Sequence, residues 1–159
     1  MPVPLLDLRA QYASIKNDVL SAMMQVVEDQ TFILGPMVEK LEQAVAHLSR
    51  TRFAIGCASG TDALLLALRA LDVGPGDEVV TTPFTFFATA GTIHNIGAKP
   101  VFVDIDPSTF NMTAALTAAA VTPRTKALIP VDLFGQMAPI EEIAAAVPSV
   151  PIIEDAAQT

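Results

Sequence analysis

The sequence has 159 residues, 52% of them hydrophobic and only 16% charged, which is enough apolar material for one ordinary domain with a single core and excludes a disordered chain. A net charge of −8 argues against a nucleic-acid or anionic-membrane partner, because binding a phosphate backbone needs a basic face. The apolar share also fits a chain that buries surface elsewhere, as part of a larger enzyme or of an obligate oligomer.

Residues 1–7 lack a basic stretch followed by an apolar run, so no signal peptide is expected. No later apolar stretch approaches transmembrane length, and the expectation is a soluble cytoplasmic protein. Two helices are predicted over residues 10–27 and 37–48, flanking Thr31-Phe32-Ile33-Leu34-Gly35-Pro36, with Pro36 opening the second. Residues 1–50 therefore form an N-terminal helical segment, and residues 51–159 a different unit. In that unit, apolar runs at 53–57, 78–82, 100–104, 127–131 and 151–154 predict strands. Helices are predicted between them at 61–71, 86–96, 113–120 and 140–146, the Ala-rich one at 114–121 packing closely through its small side chains. Turn signals at Gly74-Pro75-Gly76-Asp77, Gly97, Asp106-Pro107 and Pro148 separate the elements. Strands that are apolar throughout and alternate with helices indicate an α/β fold with a mostly parallel sheet. Cys57 is the single cysteine and, among small neighbours in Ile55-Gly56-Cys57-Ala58, reads as a small buried side chain, a reactive thiol being the other reading. His47 and His94 lie far apart, and no metal site is expected.

Ligands of open α/β sheets gather at the carboxyl ends of the strands, and three ends here carry unusual residues. After the first, Ala58-Ser59-Gly60-Thr61-Asp62 leads into a helix, a place where backbone N–H groups favour phosphate. A simple N-cap by Ser59 or Thr61 is the plainer reading of those residues. After the second, Phe84, Phe86 and Phe87 cluster; one ring could stack on a flat cofactor, and at least two of the three are expected in the core. After the last strand, Glu154-Asp155 is a carboxylate pair that needs partners if buried. Asp155 can serve a protonated ring nitrogen as its charge partner, or cap the next helix; Gln158, one turn on, can reach the same ligand.

Taken in order, Gly35-Pro36, Ser59-Gly60-Thr61-Asp62-Ala63-Leu64, Gly74-Pro75-Gly76-Asp77-Glu78-Val79, Thr85-Phe86-Phe87-Ala88-Thr89, Gly97-Ala98-Lys99-Pro100-Val101, Val103-Asp104-Ile105-Asp106, Thr122-Pro123-Arg124-Thr125-Lys126-Ala127, Pro130-Val131-Asp132-Leu133-Phe134-Gly135-Gln136 and Glu154-Asp155-Ala156-Ala157-Gln158 span nearly the whole chain. This series resembles the first part of the DegT/DnrJ/EryC1/StrS family of sugar aminotransferases, which depend on pyridoxal 5'-phosphate (PLP). The resemblance implies an incomplete large domain of the PLP-dependent transferase fold type I and a homodimer with its sites near the subunit interface. It also implies that Thr61, with the backbone of Gly60 and Asp62, holds the cofactor phosphate. Phe86 would stack on the ring, Asp155 would pair with the ring nitrogen, and Gln158 would contact the phenolic oxygen. Phe32, on the loop after the first helix, is the candidate on the sugar side.

The resemblance implies a Schiff-base lysine at a position beyond Thr159, and none of Lys16, Lys40, Lys99 and Lys126 matches its motif. Lys99 and Lys126 precede strands at the end opposite the ligand side and read as solvated surface charges. The resemblance therefore implies transfer of an amino group from an amino acid, commonly glutamate, to a nucleotide-linked keto-sugar for cell-surface polysaccharide or secondary-metabolite sugar synthesis, with this chain alone inactive. A PLP-dependent sugar dehydratase carrying histidine in place of the lysine, and a non-catalytic truncated relic used for binding or regulation, are the alternatives. In the family's fold, residues 53–57 neighbour strands encoded later, so this chain alone is expected to associate or dissolve poorly.

Overall fold

In the computed structural model, which describes residue 3 and residues 5–159, the chain divides into two compact units, Met1–Gly56 and Cys57–Thr159. The first is built on α1 (Leu8–Asp29) and α2 (Pro36–Leu48). Asp7 starts α1 by accepting from the N–H groups of Arg9 and Ala10 at 3.1 and 3.0 Å, which have no acceptor within the first turn. Pro36 opens α2, and Glu39 places a negative charge at its positive end. The Glu42 carboxylate then accepts from the Gly56 N–H at 2.7 Å. No residue of either helix is buried.

The second unit runs α3 (Gly60–Ala70), β1 (Glu78–Thr81), α4 (Phe87–Asn95), β2 (Lys99–Phe102), α5 (Ala114–Ala120), β3 (Thr125–Ile129) and α6 (Ile140–Ala146). The strands are parallel in the order β2-β1-β3. Parallel bridges Leu128↔Ile152 and Val131↔Asp155 continue the sheet past β3, so the predicted strand at 151–154 is reduced to isolated pairings. Side chains alternate across the sheet with the period of two that strands impose. Val79, Ala127 and Ile129 pack with Leu64 and Leu68 of α3 and Ile93 of α4. Val80 and Leu128 pack on the other face with Met112 and with Ile143 of α6. α3 lies against α4, and α5 against α6, where the alanines of α5 and the buried Thr117 permit close approach.

The amino ends of all three strands are tied by one carboxylate. Glu78 is 2% exposed, and its Oε1 accepts from Arg124 Nη2 at 2.6 Å and from Lys99 Nζ at 3.4 Å while Oε2 accepts from the Thr122 hydroxyl at 2.6 Å. The Thr122 bond and then the Arg124 guanidinium hold the Glu78 carboxyl down at about 2. Lys99 is exposed, as expected, yet it belongs to this cluster. Nearby, Gly97 has φ +81, and a Cβ there would stand 2.9 Å from Pro75 Cγ; only glycine suits both the conformation and the space.

Three expectations are overturned. Residues 53–57 form no strand, because among the described residues no strand runs beside them to complete a ladder. Cys57 is consequently exposed rather than buried, its Sγ directed at the Ser59 carbonyl at 3.3 Å. Phe84, Phe86 and Phe87 are 42, 74 and 81% exposed, so none is core; they follow the carboxyl end of β1, where the chain rises off the sheet.

Candidate functional site

The carboxyl ends of the strands surround a cavity of about 400 Å³. Its walls are Gly60, Thr61 and Leu64 of α3; Thr85, Phe86 and Ala88 around the start of α4; Val131, Asp132 and Leu133 after β3; and Asp155, Ala157 and Gln158. Five of the residues singled out from sequence, Gly60, Thr61, Phe86, Asp155 and Gln158, thus converge from three separate stretches of chain. Asp62 does not line the cavity, and its N–H is already engaged by Ser59 Oγ at 3.1 Å, with the Ser59 hydroxyl donating to Asp62 Oδ2 at 2.9 Å. Ser59 is therefore the N-cap of α3. Phe32 belongs to the first unit, on the exposed loop between α1 and α2, whereas every lining residue comes from the second.

The chemistry of the walls is directional. The first N–H groups of a helix have no acceptor within it, so the start of α3 offers donors and the positive end of a dipole. A Cβ at Gly60 would meet nothing within 4 Å, which leaves open space beside those donors. Asp155 Oδ2 accepts from the Thr89 hydroxyl at 2.9 Å, and Thr89 Oγ1 lies 2.9 Å from Thr85 Oγ1. The Asp155 N–H donates to the Pro130 carbonyl, fixing the backbone that carries the carboxylate. Gln158 Oε1 accepts from the Phe134 N–H at 2.6 Å. That bond occupies the amide oxygen and leaves the NH₂ group as the free, donating end.

Sequence reasoning missed Asp132, Thr85 and Thr89. Asp132 is 1% exposed and uses both carboxylate oxygens, Oδ1 accepting from the Ala138 N–H and Oδ2 from the Thr159 hydroxyl, each at 2.9 Å. A lone carboxylate straight after an apolar strand was its available signal. Glu154 parts company with its neighbour Asp155: it lines a separate cavity with Ala138 and Glu142. Desolvation raises the Glu154 carboxyl above the ordinary range, and the nearby Asp132 charge adds to the effect. Among the described residues, no lysine lines the strand-end cavity. Lys99 begins β2 and Lys126 lies at the start of β3, both at the strands' amino ends.

Residues 13–159 match the DegT/DnrJ/EryC1/StrS aminotransferase family. The chain belongs to that family. A "Pleiotropic regulatory protein" of Geobacillus stearothermophilus is 55% identical over 99% of the chain and 43% of its own length. The UDP-2-acetamido-2-deoxy-3-oxo-D-glucuronate aminotransferase of Pseudomonas aeruginosa is 48% identical over 99% of the chain and 44% of its own length. The crystal structure of S. venezuelae DesV in complex with a ketimine intermediate superposes with a TM-score of 0.96 at 38% identity, covering 99% of this chain and 43% of that one. The chain thus spans less than half the length of these DegT/DnrJ/EryC1/StrS relatives, and its α/β architecture is that of the amino-terminal part of the family's PLP-dependent aminotransferases. Among the described residues, no helix is long and apolar enough to cross a membrane.

Proposed function

We propose that this chain supplies the cofactor-binding part of a PLP-dependent aminotransferase. In the complete gene product the enzyme moves an amino group from an amino acid, glutamate in this reading, to a nucleotide-linked keto-sugar, for surface-polysaccharide or secondary-metabolite sugars. It works in the cytoplasm as a homodimer. The observation that carries the proposal is the convergence of Gly60, Thr61, Phe86, Asp155 and Gln158 on one cavity; together they offer helix-end donors, a ring, a carboxylate and an amide, which suit a phosphate, a flat ring, a ring nitrogen and a phenolic oxygen. Relatives named for UDP- and dTDP-sugar amination support the substrate class.

The residues divide the work as follows. The N–H groups of Gly60 and Thr61, with the Thr61 hydroxyl, bind the phosphate at the positive end of α3. Asp62 acts one step back, since its N–H serves the Ser59 cap that keeps this end of the helix in place. Phe86, 74% exposed, offers a ring face to the cofactor's plane. Asp155 accepts from the ring nitrogen and favours its protonated form. The free NH₂ of Gln158, aimed by the Phe134 N–H, donates to the phenolic oxygen. Phe32 stands as the sugar-side candidate. PLP, when bound, supplies an electron-withdrawing ring that takes up charge from the reacting carbon.

Among the described residues no lysine lines the cavity, and the 159-residue chain by itself is proposed to lack turnover. The test is endpoint transamination from glutamate to a panel of UDP- and dTDP-linked keto-sugars. The complete gene product should form amino-sugar, and the isolated chain no more than free PLP does. A regulatory role is the second reading, favoured by the name of the Geobacillus relative. A complete gene product that binds PLP but aminates no member of the panel would point to that reading.

A further inference from the structure

A carboxylate that pairs with a ring nitrogen must present one oxygen in one place, and free rotation of an Asp side chain works against this. The structure answers with a chain of two hydroxyls. Thr89 Oγ1 stands 2.9 Å from Asp155 Oδ2 and 2.9 Å from Thr85 Oγ1. A carboxylate only accepts, so the single proton of Thr89 points to Asp155, and the Thr85 hydroxyl must then donate to Thr89. The direction Thr85 to Thr89 to Asp155 follows from counting protons. We propose that Thr89, backed by Thr85, is a positioning residue for Asp155: it holds Oδ2 and leaves Oδ1 to face the ring nitrogen. The proposal rests on the reading of Asp155 as the ring-nitrogen partner.

Three further observations carry it. Thr89 is fully buried on α4, so its hydroxyl has no water to turn to, and a buried donor without a partner would be costly. α4 is a rigid support: it packs against α3, and the Thr92 hydroxyl bonds the Ala88 carbonyl at 2.9 Å. Thr89 and Asp155 are 66 positions apart, so this is a tertiary link between α4 and the segment that carries Asp155 rather than a local cap. Oδ1 has only the Ala157 N–H, at 3.4 Å, which leaves it the freer oxygen.

The test uses the complete gene product loaded with PLP carrying ¹⁵N in its ring, with the ring-nitrogen chemical shift read by NMR alongside steady-state kinetics. Thr89→Val keeps the shape and removes the hydroxyl. It should move the ring-nitrogen signal toward the unprotonated position and lower kcat by about tenfold, the size of one lost charge-assisted hydrogen bond, with KM for the amino donor held within about twofold. Thr89→Ser should restore both values, which a purely packing role would not do. Asp155→Asn, measured in parallel, separates the two levels of the account. If Asp155→Asn leaves the signal in place, the reading of Asp155 itself fails. If Asp155→Asn moves it and Thr89→Val does not, the positioning role is overturned. Should Thr89→Val fail to fold, Thr85→Val carries the decision: a smaller displacement in the same direction supports the relay, and no displacement overturns it.

Discussion

Leu68 sits on the inner side of α3, fully buried among Val79, Ile93 and Ile129, and so links the helix that begins at the cavity to the sheet beneath it. Leu68→Ala deletes three carbons. At about 0.8 kcal/mol per buried CH₂ the transfer term alone is about 2.4 kcal/mol. The unfilled space adds to it, for a total of roughly 2.7–5 kcal/mol. Against a stability of about 5–15 kcal/mol for a typical domain, that is a large fraction. Leu66→Ala removes the same three carbons from the same helix, but Leu66 is 54% exposed, and the cost should stay within about 0.5 kcal/mol. Urea unfolding of the 159-residue chain, at low concentration and followed by circular dichroism, compares the two variants directly. The parent and Leu66→Ala should share a midpoint, and Leu68→Ala should unfold well before them. Equal midpoints for the two variants would refute the placement of α3 on the sheet.

Glu78→Gln tests the strand-end cluster through pH. The carboxyl falls from an ordinary 4.5 to about 2 on folding, so the stability it contributes is present above pH 4.5 and is lost as the pH drops toward 2. The parent should therefore lose melting temperature across that window while Glu78→Gln loses less, a difference read by calorimetry; parallel curves would remove the cluster from the account. Ser59→Ala deletes the α3 cap and should cost about 1 kcal/mol in the same urea assay, whereas Ser59→Gly should cost only a few tenths.

Much of the second unit was legible because its apolar runs and turn residues are local signals. β1, β2 and β3 and all four of this unit's helices fall where periodicity and Gly/Pro punctuation predict them, within a few residues at the ends. Residues 53–57 read as a strand for the same reason, yet an apolar run specifies only that a segment needs cover, and pairing depends on a neighbour that no local pattern encodes. At least two of Phe84, Phe86 and Phe87 were expected in the core, yet all three are exposed and Phe86 lines the cavity, because hydrophobicity alone does not distinguish a buried position from an exposed one. That Gly60, Thr61, Asp155 and Gln158 line the cavity follows from positions legible in sequence, at the start of a helix or after an apolar run. The contact of Thr89 with Asp155 was not legible: a threonine within a helix has no distinguishing local context, and only the fold brings it to a carboxylate.

A crystal structure of the complete gene product with PLP tests most directly whether this cavity receives the cofactor between Gly60, Phe86, Asp155 and Gln158. The account predicts the phosphate within hydrogen-bond distance of the Gly60 and Thr61 N–H groups, the ring beside Phe86, its nitrogen against Asp155 and its phenolic oxygen on the Gln158 amide. A cofactor seated elsewhere, or one reversed so that its phosphate meets Asp155, would contradict it.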